Sequence, residues 1–217
     1  MLTPSENTAP NLKIELEKPF AGLCVEICCN NIDALRSAHM LHYYSRVDDR
    51  FPALCLIVSE WAKKVGIDDA NMGFLSSYAW ELLVLHFLQC GRVINKDPAG
   101  ELLIQFFDYY SRFDFSENAI SIKRGTVVKR ATDKEDPVSW KPVQQRDRRA
   151  GLHAQRAGLL EDTQIFKMFI EDPFSECNAS ATVKQMSELL KIQGAFDIAR
   201  DSFVGPHARE PLLSNIL

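Results

Sequence analysis

The chain is short of several things, and each absence removes a class of function. It has no run of about eighteen apolar residues, so it offers no transmembrane helix. The richest candidate, FLSSYAWELLVLHFLQC, is broken by serine, glutamate, histidine and glutamine. The opening MLTPSENTAPNL lacks both a basic leader and an apolar stretch, so it reads as a frayed polar tail over 1–12 and not as a secretory signal. The six cysteines, at 24, 28, 29, 55, 90 and 177, never take the paired CxxC spacing of a zinc site. Their neighbours are apolar. The expectation is reduced, buried thiols in a cytosolic protein and no disulfide scaffold. The five histidines, 39, 42, 86, 153 and 207, also lack metal-ligand spacing. A net charge of −4 provides no global basic field for nucleic acid, although a local basic face stays open.

What is present is enough apolar material for a core. With 46% hydrophobic residues in 217, one domain or slightly more is expected. Residues 13–18 (KIELEK) and 22–29 (GLCVEICC) alternate apolar with polar or small residues, and Pro19 and Gly22 lie between them, which predicts a hairpin. The period then changes. Leu35, Ala38, Leu41 and Tyr44 recur at helical spacing, predicting a helix over 33–46 with Asn31 as its N-cap. Asp48-Asp49 are placed to cap a second helix, with Pro52 in its first turn. Its stripe is Leu54, Ile57, Val58, Trp61 and Val65, its stop is Gly66, and Lys63 and Lys64 sit where cations suit the dipole. A third helix, about 75–90, is apolar nearly all round and should be the buried one. A fourth, about 99–113, has Leu102, Leu103, Phe106, Phe107 and Tyr110 inward. NAISIKR (118–124) and IFKMFI (165–170) read as strands, and a last helix over about 181–203 carries Ile192, Phe196, Ala199 and Phe203 on one face. Between 125 and 163 the pattern dissolves into a long loop holding Lys141, Arg146, Arg148, Arg149 and Arg156. Plain solvation and contact with RNA phosphate are both open there. The fold class is mainly α with a small β-sheet.

Four words stand in order: NN-x5-SAHMLHYYSRVDDR, SEWAKKVGIDDANMGFLSSYAWELLVLHFLQ, GELLIQFFDYYSRFDFSENAISIKRG and FIEDPFSECNASATV. Together they resemble the central domain and poly(A)-polymerase-associated region of cytoplasmic, germline-type poly(A) polymerases. Terminal uridylyltransferases are the next branch. The resemblance covers about 13–203. It implies a remnant of the nucleotidyltransferase sheet at 13–31, a helical central domain at 32–203 with the associated region at about 98–180, and a tail at 204–217. It also implies ATP as substrate, Mg²⁺ or Mn²⁺, an mRNA 3′ end as acceptor, an RNA-binding protein as recruiting partner, a cytoplasmic location and no membrane.

The resemblance further assigns residues. Glu26, followed by Asn30-Asn31, stands where the family has the aspartate that is the third metal carboxylate, one methylene longer. The first two belong to a Gly-Ser and Asp-x-Asp word upstream, and the twenty-five residues before Glu26 contain none. The implied catalytic sheet is therefore mostly absent, and the isolated chain is expected to be inactive. For the nucleotide, Ser76, Ser77 and Tyr78 match the serine-tyrosine word on phosphate and base. Lys63 matches the second of two triphosphate lysines, whereas the first position is Ser59. Ser37 and Ala38 replace the ribose-contacting pair. Asp172 of EDPF is the implied reader of the base edge, and Cys177 before Asn178, in a short loop, points to ATP over UTP. Without the resemblance, SSY is also an ordinary helix start, EDPF a turn and Lys63 a solvated cation. The tyrosine pairs 43–44 and 109–110 read as packing. The alternative to an enzyme fragment is a non-catalytic module that binds a partner, with a uridylyltransferase-like fragment third.

Overall fold

A computed structural model gives the fold, and it describes residues 11–90, 98–130, 167–174 and 177–204. Most of the basic segment, including Lys141 through Arg156, lies outside them. The chain divides into two compact units, 1–43 and 44–217, and each is considered by itself.

In the first unit, β1 (Asn11–Glu15) and β2 (Cys24–Cys28) form the expected antiparallel hairpin, in register Lys13 to Glu26 and Ile14 to Val25. Alternation puts Leu12, Ile14, Val25 and Ile27 on one face. Leu12, Val25 and Ile27 are exposed there, so this sheet has no layer of its own to bury them. Among the described residues no further strand pairs with this hairpin's outer edges. Cys29, just beyond β2, is exposed and not buried, because a two-stranded ribbon has no interior. Asn31 caps α1 (Ile32–Val47) as the sequence suggests, its Oδ1 accepting from Ala34 N–H at 3.1 Å.

The second unit is a helical bundle. For α2 (Arg50–Val65) the capping carboxylate is Asp48 and not Asp49. Its Oδ1 accepts from Arg50 N–H at 3.0 Å, and the same carboxylate pairs with the Arg50 guanidinium at 2.7 Å. That pairing holds the Asp48 carboxyl below the ordinary range. Gly66, at φ 77°, ends the helix, and Ile67 N–H returns to Ala62 O at 2.9 Å. This reversal carries the chain off one residue early for Val65, which is 48% exposed and leaves the predicted stripe. A 3-10 turn (Ala70–Met72) follows, then α3 (Ser77–Gln89), whose helix body is almost wholly buried. α4 (Ala99–Ser111) turns in all five predicted residues.

Aromatic rings join these helices to α5 (Met186–Val204). Trp61 meets Trp80 edge-on at 5.6 Å and Phe107 at 4.7 Å, and Phe196 lies 5.5 Å from Trp61 and 6.0 Å from Phe106. Such contacts contribute beyond area burial, by about 0.5–1.5 kcal/mol each. Phe203 stacks on Phe107 at 5.8 Å, extending the seam. α5 starts at Met186, later than the periodicity suggests. Glu188 Oε2 accepts from the backbone N–H of Lys184 and Gln185 at 3.1 and 2.8 Å, which fixes 184–185 as the cap.

After α4, β3 (Asn118–Ser121) and β4 (Thr126–Lys129) form a hairpin turned at Gly125, φ 59°. β4 falls in the segment read from sequence as loop. Thr-Val-Val is a β-forming run that its neighbours concealed. The second predicted strand is not continuous. Its described part makes one parallel bridge, Ile170 beside Ile120, with Ile120 N–H donating to Phe169 O and Glu171 N–H to Ile120 O at 3.0 and 2.9 Å.

Candidate functional site

The residues singled out in the sequence fall into three groups. Glu26, Ser37 and Ala38 lie in the first unit. The hairpin register sets Glu26 opposite Lys13 and not opposite another acid. Ser37 is buried in α1 and Ala38 is exposed. Among the described residues no three His, Cys, Asp or Glu side chains gather as a metal would require. A two-metal centre needs several hard oxygen ligands, and the described residues gather no such set.

A second group surrounds the loop from α2 to α3. Ser76 is the N-cap of α3, its Oγ accepting from Ala79 N–H at 3.2 Å. Ser77 points its Oγ at Asp68, donating at 3.0 Å to Oδ2 and standing 3.3 Å from Oδ1. Tyr78 is half-buried in the same turn. One helix earlier, exposed Lys63 pairs with Glu60 at 2.9 Å. The Glu60 hydrogen bond and charge raise the Lys63 ammonium above its ordinary value, and Asp68 adds to the shift. Asp68 also acts on Glu81, whose carboxyl is raised first by burial and then by that charge. Beyond it, burial and Glu81 push the Cys55 thiol up to about 12, so it is no nucleophile. Ser59 is half-buried in α2. Lys63, Ser77 and Glu81 therefore share one electrostatic neighbourhood around Asp68.

The third group is the turn after Glu171. Asp172 N–H donates to Cys177 O at 3.0 Å, and its Oδ1 accepts from Phe174 N–H at 2.8 Å, an Asx turn that stiffens EDPF. Asn178 uses its amide inward. Oδ1 accepts from the N–H of Ile170 and of Ser180, both at 3.0 Å, and Nδ2 donates to Met168 O at 2.9 Å. Its side chain holds the loop in shape. Glu171, 3% exposed, accepts from Ser121 Oγ and anchors the turn to β3. Thr182 Oγ1 donates to Phe74 O at 2.6 Å, tying this segment to the chain that enters α3.

Sequence reasoning passed over Asp68, Glu81, Glu171 and Ser121. Asp68 stands inside a quoted word, between the stop Gly66 and Ser77. A carboxylate nine residues before a helix-start serine was the available signal. A further cluster carries no reaction. Tyr110 O–H donates to Leu83 O at 2.8 Å and stands 3.0 Å from His86 Nδ1, while His86 Nε2 lies 3.2 Å from Cys90 Sγ. Burial lowers His86 to about 4 and raises the Cys90 thiol, so this is a neutral pair and not an activated thiolate.

These helices and this turn have known counterparts. Residues 98–178 match the family described as Cid1 family poly A polymerase, and the fold is that of solved poly(A) and poly(U) polymerases. More particularly, the chain is similar to GLD-2 poly(A) RNA polymerases. It is 36% identical over 163 residues to Poly(A) RNA polymerase gld-2 of Caenorhabditis elegans, covering 56% of this chain and 15% of that one. A solved GLD-2/RNP-8 complex matches at 28% identity and TM-score 0.67, covering all of this chain and 67% of that one. Cid1 poly(U) polymerase with MgGTP, at 21% identity and TM-score 0.74 over 70% of its chain, shares the fold. The chain thus spans about a seventh of the C. elegans relative's length.

Proposed function

We propose that this chain supplies the ATP-facing helical part of a template-independent RNA adenylyltransferase acting on mRNA 3′ ends in the cytoplasm. The observation that carries the reading is Ser77 at the N-terminus of α3, its hydroxyl on the Asp68 carboxylate whose charge also acts on Lys63. A cation, a hydroxyl and the positive end of a helix dipole are complementary to a triphosphate. Tyr78, next in the same turn, offers an aromatic face to the base. Asp172 is acceptor-only when ionised, so it suits the amino edge of adenine and opposes the carbonyl edge of uracil. Asn178, Glu171 and Thr182 act as positioning residues that fix the turn bearing Asp172.

Transfer to RNA needs Mg²⁺ or Mn²⁺ to neutralise the triphosphate and assist attack on the α-phosphate. The described residues do not assemble that centre, and no chemical step is assigned to this chain alone. Glu26 is the position such a centre would use.

The test is thermal unfolding with MgATP and MgUTP. At a hundredfold excess over Kd, ATP adds roughly 2.7 kcal/mol, which at this size is an upward shift of about 5–10 °C. The shift is expected to exceed that of UTP and to fall in Ser77→Ala and Tyr78→Ala. No shift at millimolar MgATP would sink the reading.

A second reading is a non-catalytic module bound to an RNA-binding partner. The observation behind it is the outer face of α5, where Met186, Leu190 and Ile198 recur at helical spacing and stand exposed, together with the complex in which one relative was solved. Under it, Leu190→Asp abolishes co-purification with an RNP-8-like partner and ATP leaves the melting temperature unchanged.

A further inference from the structure

The donors assigned to the triphosphate already have acidic neighbours. Ser77 Oγ is hydrogen-bonded to both oxygens of the Asp68 carboxylate, at 3.0 and 3.3 Å. Lys63 Nζ is held by Glu60 Oε1 at 2.9 Å. A phosphate oxygen approaching Ser77 must take the position of a carboxylate oxygen, and it then stands beside a full negative charge within a few ångströms. The same charge acts on Lys63 and on Glu81. Asp68 is therefore central to this patch and not a remote surface acid.

We propose that Asp68 is an affinity-setting residue that competes with the triphosphate for Ser77 and lowers the chain's affinity for nucleotide. The inference rests on the reading of this patch as the triphosphate site and goes beyond it by naming the group that opposes occupancy. Asp68 mimics the anion. In the ligand-free chain it satisfies the Ser77 hydroxyl and keeps the end of α3 from presenting an unpartnered donor. In the liganded chain it must rotate away or stand against like charge, and that difference weakens binding.

The decisive substitution is Asp68→Asn. The amide keeps an oxygen to accept from Ser77 and removes only the charge. Two unit charges about 5 Å apart change an equilibrium constant by about fourfold in bulk water and by roughly a few hundredfold near a protein surface. About tenfold is expected for this exposed patch, between those limits. The probes are inorganic tripolyphosphate and MgATP, titrated calorimetrically into the full chain, with Asp68→Ala as a second variant and Lys63→Ala added to Asp68→Asn. The expected result is that Asp68→Asn and Asp68→Ala bind tripolyphosphate about tenfold more tightly. The gain should shrink toward 1 M salt, as screening requires, and disappear when Lys63 is also removed. Equal or weaker tripolyphosphate binding by both variants, including no binding by either, overturns the proposal. The nucleotide reading fails separately. If Asp68→Asn tightens tripolyphosphate but MgATP binds no better than MgUTP, the competition by Asp68 stands and base recognition by this chain does not.

Discussion

Removing the amide of Asn178 should unfold the turn that carries Asp172 before it alters any surface contact. In the native chain Oδ1 satisfies the N–H of Ile170 and of Ser180, and Nδ2 satisfies Met168 O. The Ser180 hydroxyl, 2.7 Å from Oδ1 and 2.9 Å from Met168 O, shares its one proton between them. Met168, Ile170 and Ser180 are each fully buried, so water does not replace a lost partner. In Asn178→Ala, Met168 O keeps Ser180, but two buried N–H groups are orphaned at about 1–3 kcal/mol each. The expected loss is about 3 kcal/mol, or about 6–12 °C for a domain of this size. Ser180→Ala, which removes only the shared proton, should lose about 1 kcal/mol. The double variant should exceed the sum, because either single variant leaves buried Met168 O one partner and the double leaves it none. Urea unfolding followed by tryptophan fluorescence is the assay, since Trp61 and Trp80 are 4% and 1% exposed and report the core. Asn178→Ala within about 0.5 kcal/mol of the parent would refute the bonding argument, because an effect that small is what an ordinary surface substitution gives.

Two other outcomes follow from local geometry. Gly73 has φ 85°, and a Cβ there would come within 2.7 Å of Glu188 Oε1. Gly73→Ala should therefore lose about 1–2 kcal/mol for the left-handed backbone alone, plus the displacement of Glu188 from its cap. Glu188→Ala in the same chain should relieve only the second part, read as a coupling in a double-mutant cycle. His86 is neutral when folded, held at about 4 by burial against 6.5 in the unfolded chain. Its contribution is fully present above pH 6.5 and is lost as pH falls toward 4, because the unfolded chain then binds the extra proton. The total is about 3 kcal/mol. His86→Gln should flatten stability over that window, and an unchanged slope would show that another group sets it.

The helices were legible because each carries its own punctuation. Asn31 caps α1, Gly66 reverses α2, and Ser76 caps α3, all through bonds within a few residues of the signal. The inner face of α4 was legible for the same reason, as spacing alone assigns Leu102 through Tyr110. β4 was not, because a four-residue strand acquires its identity from β3 across the turn. The site was legible only as matched words. That Ser77 and Tyr78 start a helix follows from the local sequence, but that Asp68 sits on Ser77 depends on how the chain turns between α2 and α3.

The sequence by itself therefore determined the order of the helices, most of their apolar faces and the likeness to poly(A) polymerases, since caps, periodicity and word order are local properties. Only the tertiary structure decided what the polar side chains do. Asn178, read as a nucleotide contact, turns its amide onto Met168, Ile170 and Ser180. Glu171 lies buried on Ser121, fifty residues away in sequence, and Lys63 is paired with Glu60. The physical reason is that a polar group takes whichever partner the folded chain brings within 3 Å, and spacing along the sequence does not record that distance.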